Sequence, residues 1–179
     1  MRRLIRALSL SLSMGAVMGA VALAGFVAAE DAAVAAEPAL DFTLRDINGE
    51  SVTLSSLKGK VVVLSFWATW CGPCKEEMPH LQKMYTELKG QGLVVLSISI
   101  DDARTASQVK PWIMSKGYNF PVLLDKSSEA VVKYNPGKTV PYTVVIGRDH
   151  QIFERQAGYA PGDELKLKEK ILGLLAKGG

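Results

Sequence analysis

The chain contains two cysteines, Cys71 and Cys74, within the stretch FWATWCGPCKEEMP at residues 66–79. Gly72 and Pro73 separate them, and no third thiol exists to pair with either. A disulfide stabilises a fold chiefly by closing a loop, and the gain grows with loop length. A Cys71–Cys74 bond closes almost no chain, so it is a poor structural staple. A structural zinc site needs four thiolate or imidazole ligands, usually built from two such pairs. Only His80 and His150 could complete one, and neither stands at a ligand spacing from the pair. What remains is reversible thiol–disulfide exchange, for which two neighbouring sulfurs are the minimum equipment.

The position of the pair favours that chemistry. KVVVLSF, residues 60–66, is a continuous β-branched run, the pattern of a strand buried on both faces. A helix is expected from about Pro73 to Lys89, so the cysteines fall where strand hands over to helix. There the first backbone N–H groups lack partners and the helix dipole favours an anion. The nucleophile in exchange is the thiolate, and helix N-termini lower cysteine pKa values into a range of roughly 3.5–7.5. Cys71, just ahead of the helix, is expected to be the exposed attacking sulfur. Cys74, one turn in on the buried side, is placed to resolve the mixed disulfide. Pro73 suits the first helical turn, where its missing N–H is not needed. Gly72 permits a close approach of chain and substrate. Trp67 and Trp70 flank the pair; Trp70 reads either as a substrate contact or as an ordinary rim aromatic.

The remaining elements follow from periodicity and punctuation. FTLRDINGESVTL holds two short alternations around Asn48-Gly49, a two-residue hairpin signal. LVVLSISI (residues 93–100) gives a second buried strand. ARTASQVKPWIMSKG reads as a helix despite Pro111, FPVLLD as a short strand, and SSEAVVKYN as a short helix whose serines suit an N-cap. YTVVIGRDHQIFERQAG is a hairpin turning near Arg148 to His150, and DELKLKEKILGLL closes the chain with an amphipathic helix. This order predicts an α/β fold with a central mixed sheet covered by helices.

Composition bounds the function class. Of 179 residues, 48% are hydrophobic and 22% charged, which is globular rather than disordered. MRRLIR is a positive leader, and Ala7 to Ala29 carries no charge. The small residues of FVAAED and AVAAEP offer cleavage after Ala29 or Ala36. Residues 1–29 therefore read as a signal peptide or a retained membrane anchor, 30–37 as an Ala-rich linker, and 38–177 as the folded domain. Either reading exports the body, with the arginines left on the cytoplasmic side. Without Arg2, Arg3, Arg6, Glu30 and Asp31, totals of 21 basic and 18 acidic side chains become 18 and 16. A body so nearly neutral carries no basic stripe for nucleic acid. Outside the cytoplasm disulfides persist, so a lone pair there needs a partner to keep it reduced or to reoxidise it.

WCGPC resembles the thioredoxin active site. FWATWCGPCKEEMP is similar, more specifically, to the exported thioredoxin-like reductases of the TlpA/ResA/CcmG group. The likeness runs from about Pro38 to Lys177 and includes the N-terminal hairpin, Pro79, TVPYTVV at residues 139–145 and a longer central segment, residues 101–136. It implies a thioredoxin-like fold with an N-terminal β-hairpin and a central insertion. Pro141 resembles the family's cis-proline, which lies against the cysteine pair. The resemblance leaves the backbone of Val140 free to pair with an extended substrate. The alternative for Pro141 is an ordinary strand-entry proline.

One departure matters. Cytoplasmic thioredoxins carry a buried aspartate where Ser65 stands, thought to take the proton of the resolving cysteine. Glu77 is the candidate replacement. Glu76, His80, Lys83 and Glu87 form a polar outward face at helical spacing, whereas Glu77, Leu81, Met84 and Leu88 share an apolar stripe. A carboxyl there is expected to have a raised pKa through desolvation, as a proton acceptor near neutrality requires. An acid at this position resembles the ResA subgroup; the alternative is a solvated glutamate in a KEE run. His80 and His150 are expected at the surface.

The resemblance implies an exported protein-disulfide reductase, its substrates including apocytochrome c before haem attachment, recharged by a membrane thiol donor. The Cys71–Cys74 disulfide would carry the electrons without a bound cofactor or metal, in a monomer. Two alternatives remain: a peroxiredoxin-type peroxidase, and a copper or zinc chaperone on the same scaffold. The first wants a threonine three residues before its cysteine, and Thr69 stands two before Cys71. The second wants a wider cysteine spacing and a dedicated histidine.

Overall fold

The computed structural model describes residues 37–177. The expected signal or anchor and nearly all of the linker lie outside these residues. The strands are β1 (Glu37–Pro38), β2 (Thr43–Asp46), β3 (Ser51–Thr53), β4 (Val61–Trp67), β5 (Leu93–Ser99), β6 (Val122–Leu124), β7 (Tyr142–Ile146) and β8 (Gln151–Ala157). The helices are α1 (Gly72–Leu88), α2 (Val109–Lys116), α3 (Glu129–Tyr134) and α4 (Asp163–Ala176).

The strands form one mixed sheet in the order β1-β8-β7-β4-β5-β6-β2-β3. β4 pairs parallel with β5 and antiparallel with β7, and every residue of β4 is buried. That is why its sequence is uniformly apolar rather than alternating. The pleat divides it between two cores. Val61, Val63 and Trp67 pack with Met78, Leu81 and Met84 of α1, Ile113 of α2 and Ile171 of α4. Val62, Leu64 and Phe66 face the other way, toward Phe42, Leu44 and Tyr134 of α3. By alternation Ser65 belongs to the α1 side, and so does its register partner on β7, Thr143. This is the expected thioredoxin-like fold, with helices on both faces of a mixed sheet. The central insertion supplies α2, β6 and α3, and β6 joins the sheet between β5 and β2.

Three local expectations are corrected. The Asn48-Gly49 turn is a four-residue connection, not two. Asp46 draws it closed by accepting the N–H groups of Asn48 and Glu50, both at 2.8 Å, with Gly49 at a φ of 92°. The helix around Pro111 is shorter than its sequence pattern. It starts at Val109 after a 3-10 turn, which puts Pro111 in the first turn, where a missing N–H is tolerated. The serines before α3 make no side-chain cap. Asp125 does so instead, its buried carboxylate accepting from Glu129 N (2.7 Å) and Val131 N (2.8 Å).

Candidate active site

β4 ends at Trp67 and α1 begins at Gly72, so four residues carry the chain from the sheet's centre to the helix. Cys71 is the N-cap of α1: its Sγ accepts the N–H of Cys74 at 3.2 Å, taking up one of the helix's unpartnered donors. Cys71 and Cys74 are joined as a disulfide, with Cα atoms 5.4 Å apart. Cys74 has no exposed surface and Cys71 keeps 5% of its own. The opening onto Cys71 is thus narrower than expected for an exposed sulfur, because capping turns its side chain back over the helix start.

The neighbours are disposed unequally. Gly72 and Pro73 are exposed, and Trp70 stands out from the loop, 61% exposed. Trp67 is fully buried and packs on Trp112 of the insertion, with ring centroids 5.1 Å apart. Lys75 lies 5.7 Å from the centre of the Trp112 ring. The Val140–Pro141 bond is cis; Pro141 is buried and Val140 half-buried at the start of β7. His80 and His150 are each half-buried rather than on open surface, His80 because its ring packs 6.1 Å from that of Tyr159.

Glu77 lies on the inner face of α1, 4% exposed. Thr143 donates its hydroxyl to Oε1 at 3.0 Å, and Ser65 makes a longer contact to Oε2 at 3.5 Å. Because Ser65 and Thr143 are opposite each other in the β4–β7 register, one cross-strand pair serves both oxygens. Burial pushes the Glu77 carboxyl up from its ordinary 4.5 to about 7. The hydrogen bonds from Thr143 and then Ser65 hold it partly back, and the negative charge of Asp163 adds to the rise. A carboxyl poised there exchanges a proton near neutral pH.

Thr143 and Asp101 were not legible as partners of the site. Thr143 carries a signal in retrospect, since it stands two residues after Pro141 and shares the helix-facing side with Val145. Asp101, 32 residues from Thr69, accepts both the backbone N–H and the hydroxyl of that residue. The Thr69 hydroxyl is thereby committed to a carboxylate rather than to Cys71, which is not the arrangement a peroxidatic cysteine needs. Among the described residues, no three His, Cys, Asp or Glu side chains are grouped to hold a metal ion.

Residues 35–155 match the AhpC/TSA family. The chain belongs to that family. Within it, the thiol-disulfide oxidoreductase ResA of Bacillus anthracis is 32% identical over 176 residues, spanning 98% of this chain and 96% of its own. Among solved structures, a Chlorobium tepidum protein provisionally named thiol:disulfide interchange protein DsbE superposes with a TM-score of 0.72. It is 29% identical and covers 78% of this chain and 96% of its own. StoA from Bacillus subtilis superposes with a TM-score of 0.61 at 25% identity, covering 73% and 95%. This AhpC/TSA family member is a thioredoxin-fold thiol–disulfide oxidoreductase related to ResA, and Cys71–Cys74 is its redox-active disulfide.

Proposed function

We propose that the protein is an exported reductase of protein disulfides, apocytochrome c among them, and that Cys71 attacks while Cys74 resolves. The observation that carries the assignment of roles is the placement of Cys74, with no exposed surface, one turn before the buried carboxyl of Glu77. In the dithiol form the Cys71 thiolate attacks one sulfur of the substrate disulfide and expels the other as a thiolate. Cys74 passes its proton to Glu77 and attacks Cys71, releasing the second substrate thiol and closing the Cys71–Cys74 bond. One electron pair passes to the substrate, whose two leaving thiolates take up the proton that Cys74 gave to Glu77 and one from solvent, matching the proton Cys71 lost on ionising. A membrane dithiol returns the protein to its working state by the reverse exchange. Val140, ahead of Pro141, offers backbone to an extended substrate, and Trp70 offers an apolar face beside the pair. Export is supported by the positive leader and the uncharged stretch of residues 7–29. In the described residues no helix is long and apolar enough to cross a membrane.

The test is a trapping experiment with a peptide holding an apocytochrome-type CxxCH disulfide, set against oxidised glutathione. Cys74→Ser is expected to accumulate a mixed disulfide through Cys71, and Cys71→Ser to react with neither. Trapping through Cys74 in the Cys71→Ser protein reverses the roles. Equal rates with peptide and glutathione remove the substrate assignment. Cell fractionation is expected to find the protein outside the cytoplasm; recovery in the cytosol overturns export.

A further inference from the structure

β4 and β5 run parallel, so their carboxyl ends emerge side by side. The loop carrying Cys71 leaves β4, and Asp101 stands just beyond the end of β5. Three hydrogen bonds join the two. Ile100 N–H donates to Trp67 O at 2.9 Å, Thr69 N–H to Asp101 Oδ2 at 2.9 Å, and the Thr69 hydroxyl to Oδ1 at 2.5 Å. Within the Cys71 loop itself, Cys71 N–H donates to Ala68 O at 3.1 Å and closes the turn. Ser99 adds a donor to Oδ2 at 2.8 Å, and its oxygen accepts the Asp101 N–H at 3.1 Å. Asp101 is 4% exposed, and all three groups on its oxygens donate. A carboxylate, which can only accept, is the form such a site serves.

We propose that Asp101 is a positioning residue that sets the redox poise of the pair. It ties down the loop presenting Cys71, and its fixed negative charge makes the Cys71 thiolate harder to form. The carboxylate is hydrogen-bonded to Thr69, whose Cα stands at most about 7 Å from that of Cys71, and at 4% exposure its charge is weakly screened by solvent. A like charge disfavours ionisation, opposing the helix terminus that favours it. The thiolate exists only in the reduced protein. Whatever destabilises it makes the couple more reducing, just as stabilising the reduced form makes a strong oxidant. The other charged groups on the cavity of about 400 Å³ beside Asp101 are Asp102, which is bound to Arg104, and Lys126. Neither hydrogen-bonds to the Asp101 carboxylate, so its negative charge is spread only through the donors of Thr69 and Ser99.

The test compares two variants of the full chain in glutathione redox buffers. Asp101→Asn keeps an acceptor for Thr69 N–H and removes the charge. Its equilibrium is expected to shift roughly three- to tenfold toward the dithiol, tenfold being about 30 mV for this two-electron couple. The alkylation pKa of Cys71 should fall with it. Thr69→Val keeps the charge and removes the donor that spreads it, so its equilibrium should shift toward the disulfide. Opposite shifts carry the proposal. Shifts of the same sign in both variants mean loosening of the loop rather than charge, and overturn it, as does no shift in either. If Asp101→Asn does not fold, Thr69→Val decides alone: a shift toward the disulfide supports the proposal, and zero or the reverse overturns it. The inference rests on Cys71 as the attacking sulfur. The potential belongs to the couple whichever sulfur attacks, so a failure of that assignment in the trapping experiment stays distinguishable.

Discussion

Glu77 illustrates how one buried group can serve chemistry against stability. Its carboxyl is held at about 7 in the fold against an ordinary 4.5, chiefly by burial. Between those values the folded state binds more protons than the unfolded one, so stability falls as pH rises. The gap corresponds to roughly 3 kcal/mol, absent below about pH 4.5 and complete above about pH 7. Urea unfolding of the oxidised protein should therefore show Glu77→Gln gaining on the parent by about that amount between pH 4 and pH 8. Glu76→Gln, on the exposed face, should run parallel to the parent. A pH-independent difference for Glu77→Gln means that Glu77 does not titrate as described. The residue was legible because helical spacing alone separates it from Glu76. Its hydroxyl partners were not, since Ser65 and Thr143 lie 12 and 66 residues away, and only the sheet register brings them together.

At the scale of elements, the parts read most directly are those whose sequence carries one dominant signal. β4 and β5 declare themselves as unbroken apolar runs, and α1 by the stripe through Leu81, Met84 and Leu88. Elements held by a distant or indirect contact were read less well. The turn after β2 is shaped by Asp46 rather than by Asn48-Gly49 alone, and α3 is capped from Asp125, beyond the serines that precede it. β1 is two residues long; Glu37 ties it to β8 through Arg155, and so short a run carries no periodicity. The α3 cap is open to measurement. Asp125→Ala should destabilise the protein by about 2 kcal/mol, since it removes a cap and strands buried N–H groups. The urea midpoint should fall with an unchanged slope, while the potential of the cysteine pair stays at the parental value. A loss below about 0.5 kcal/mol, the scale of a neutral surface change, rules out the cap.

For the whole molecule, the decisive feature is how little of the disulfide meets solvent: 5% of Cys71 and none of Cys74. A disulfide and a dithiol that exchange with the pair are both expected at Cys71, the one cysteine with any exposed surface, so the two visitors take turns at a single gate. The protein then works as a shuttle that holds one electron pair at a time, and its flux depends on how promptly each visitor leaves. Steady-state rates should give parallel double-reciprocal lines, the signature of a ping-pong cycle. Each visitor in excess should also inhibit competitively against the other, by occupying the gate in the wrong half of the cycle. Intersecting lines would require both to be bound at once, and hence a second approach to the cysteine pair.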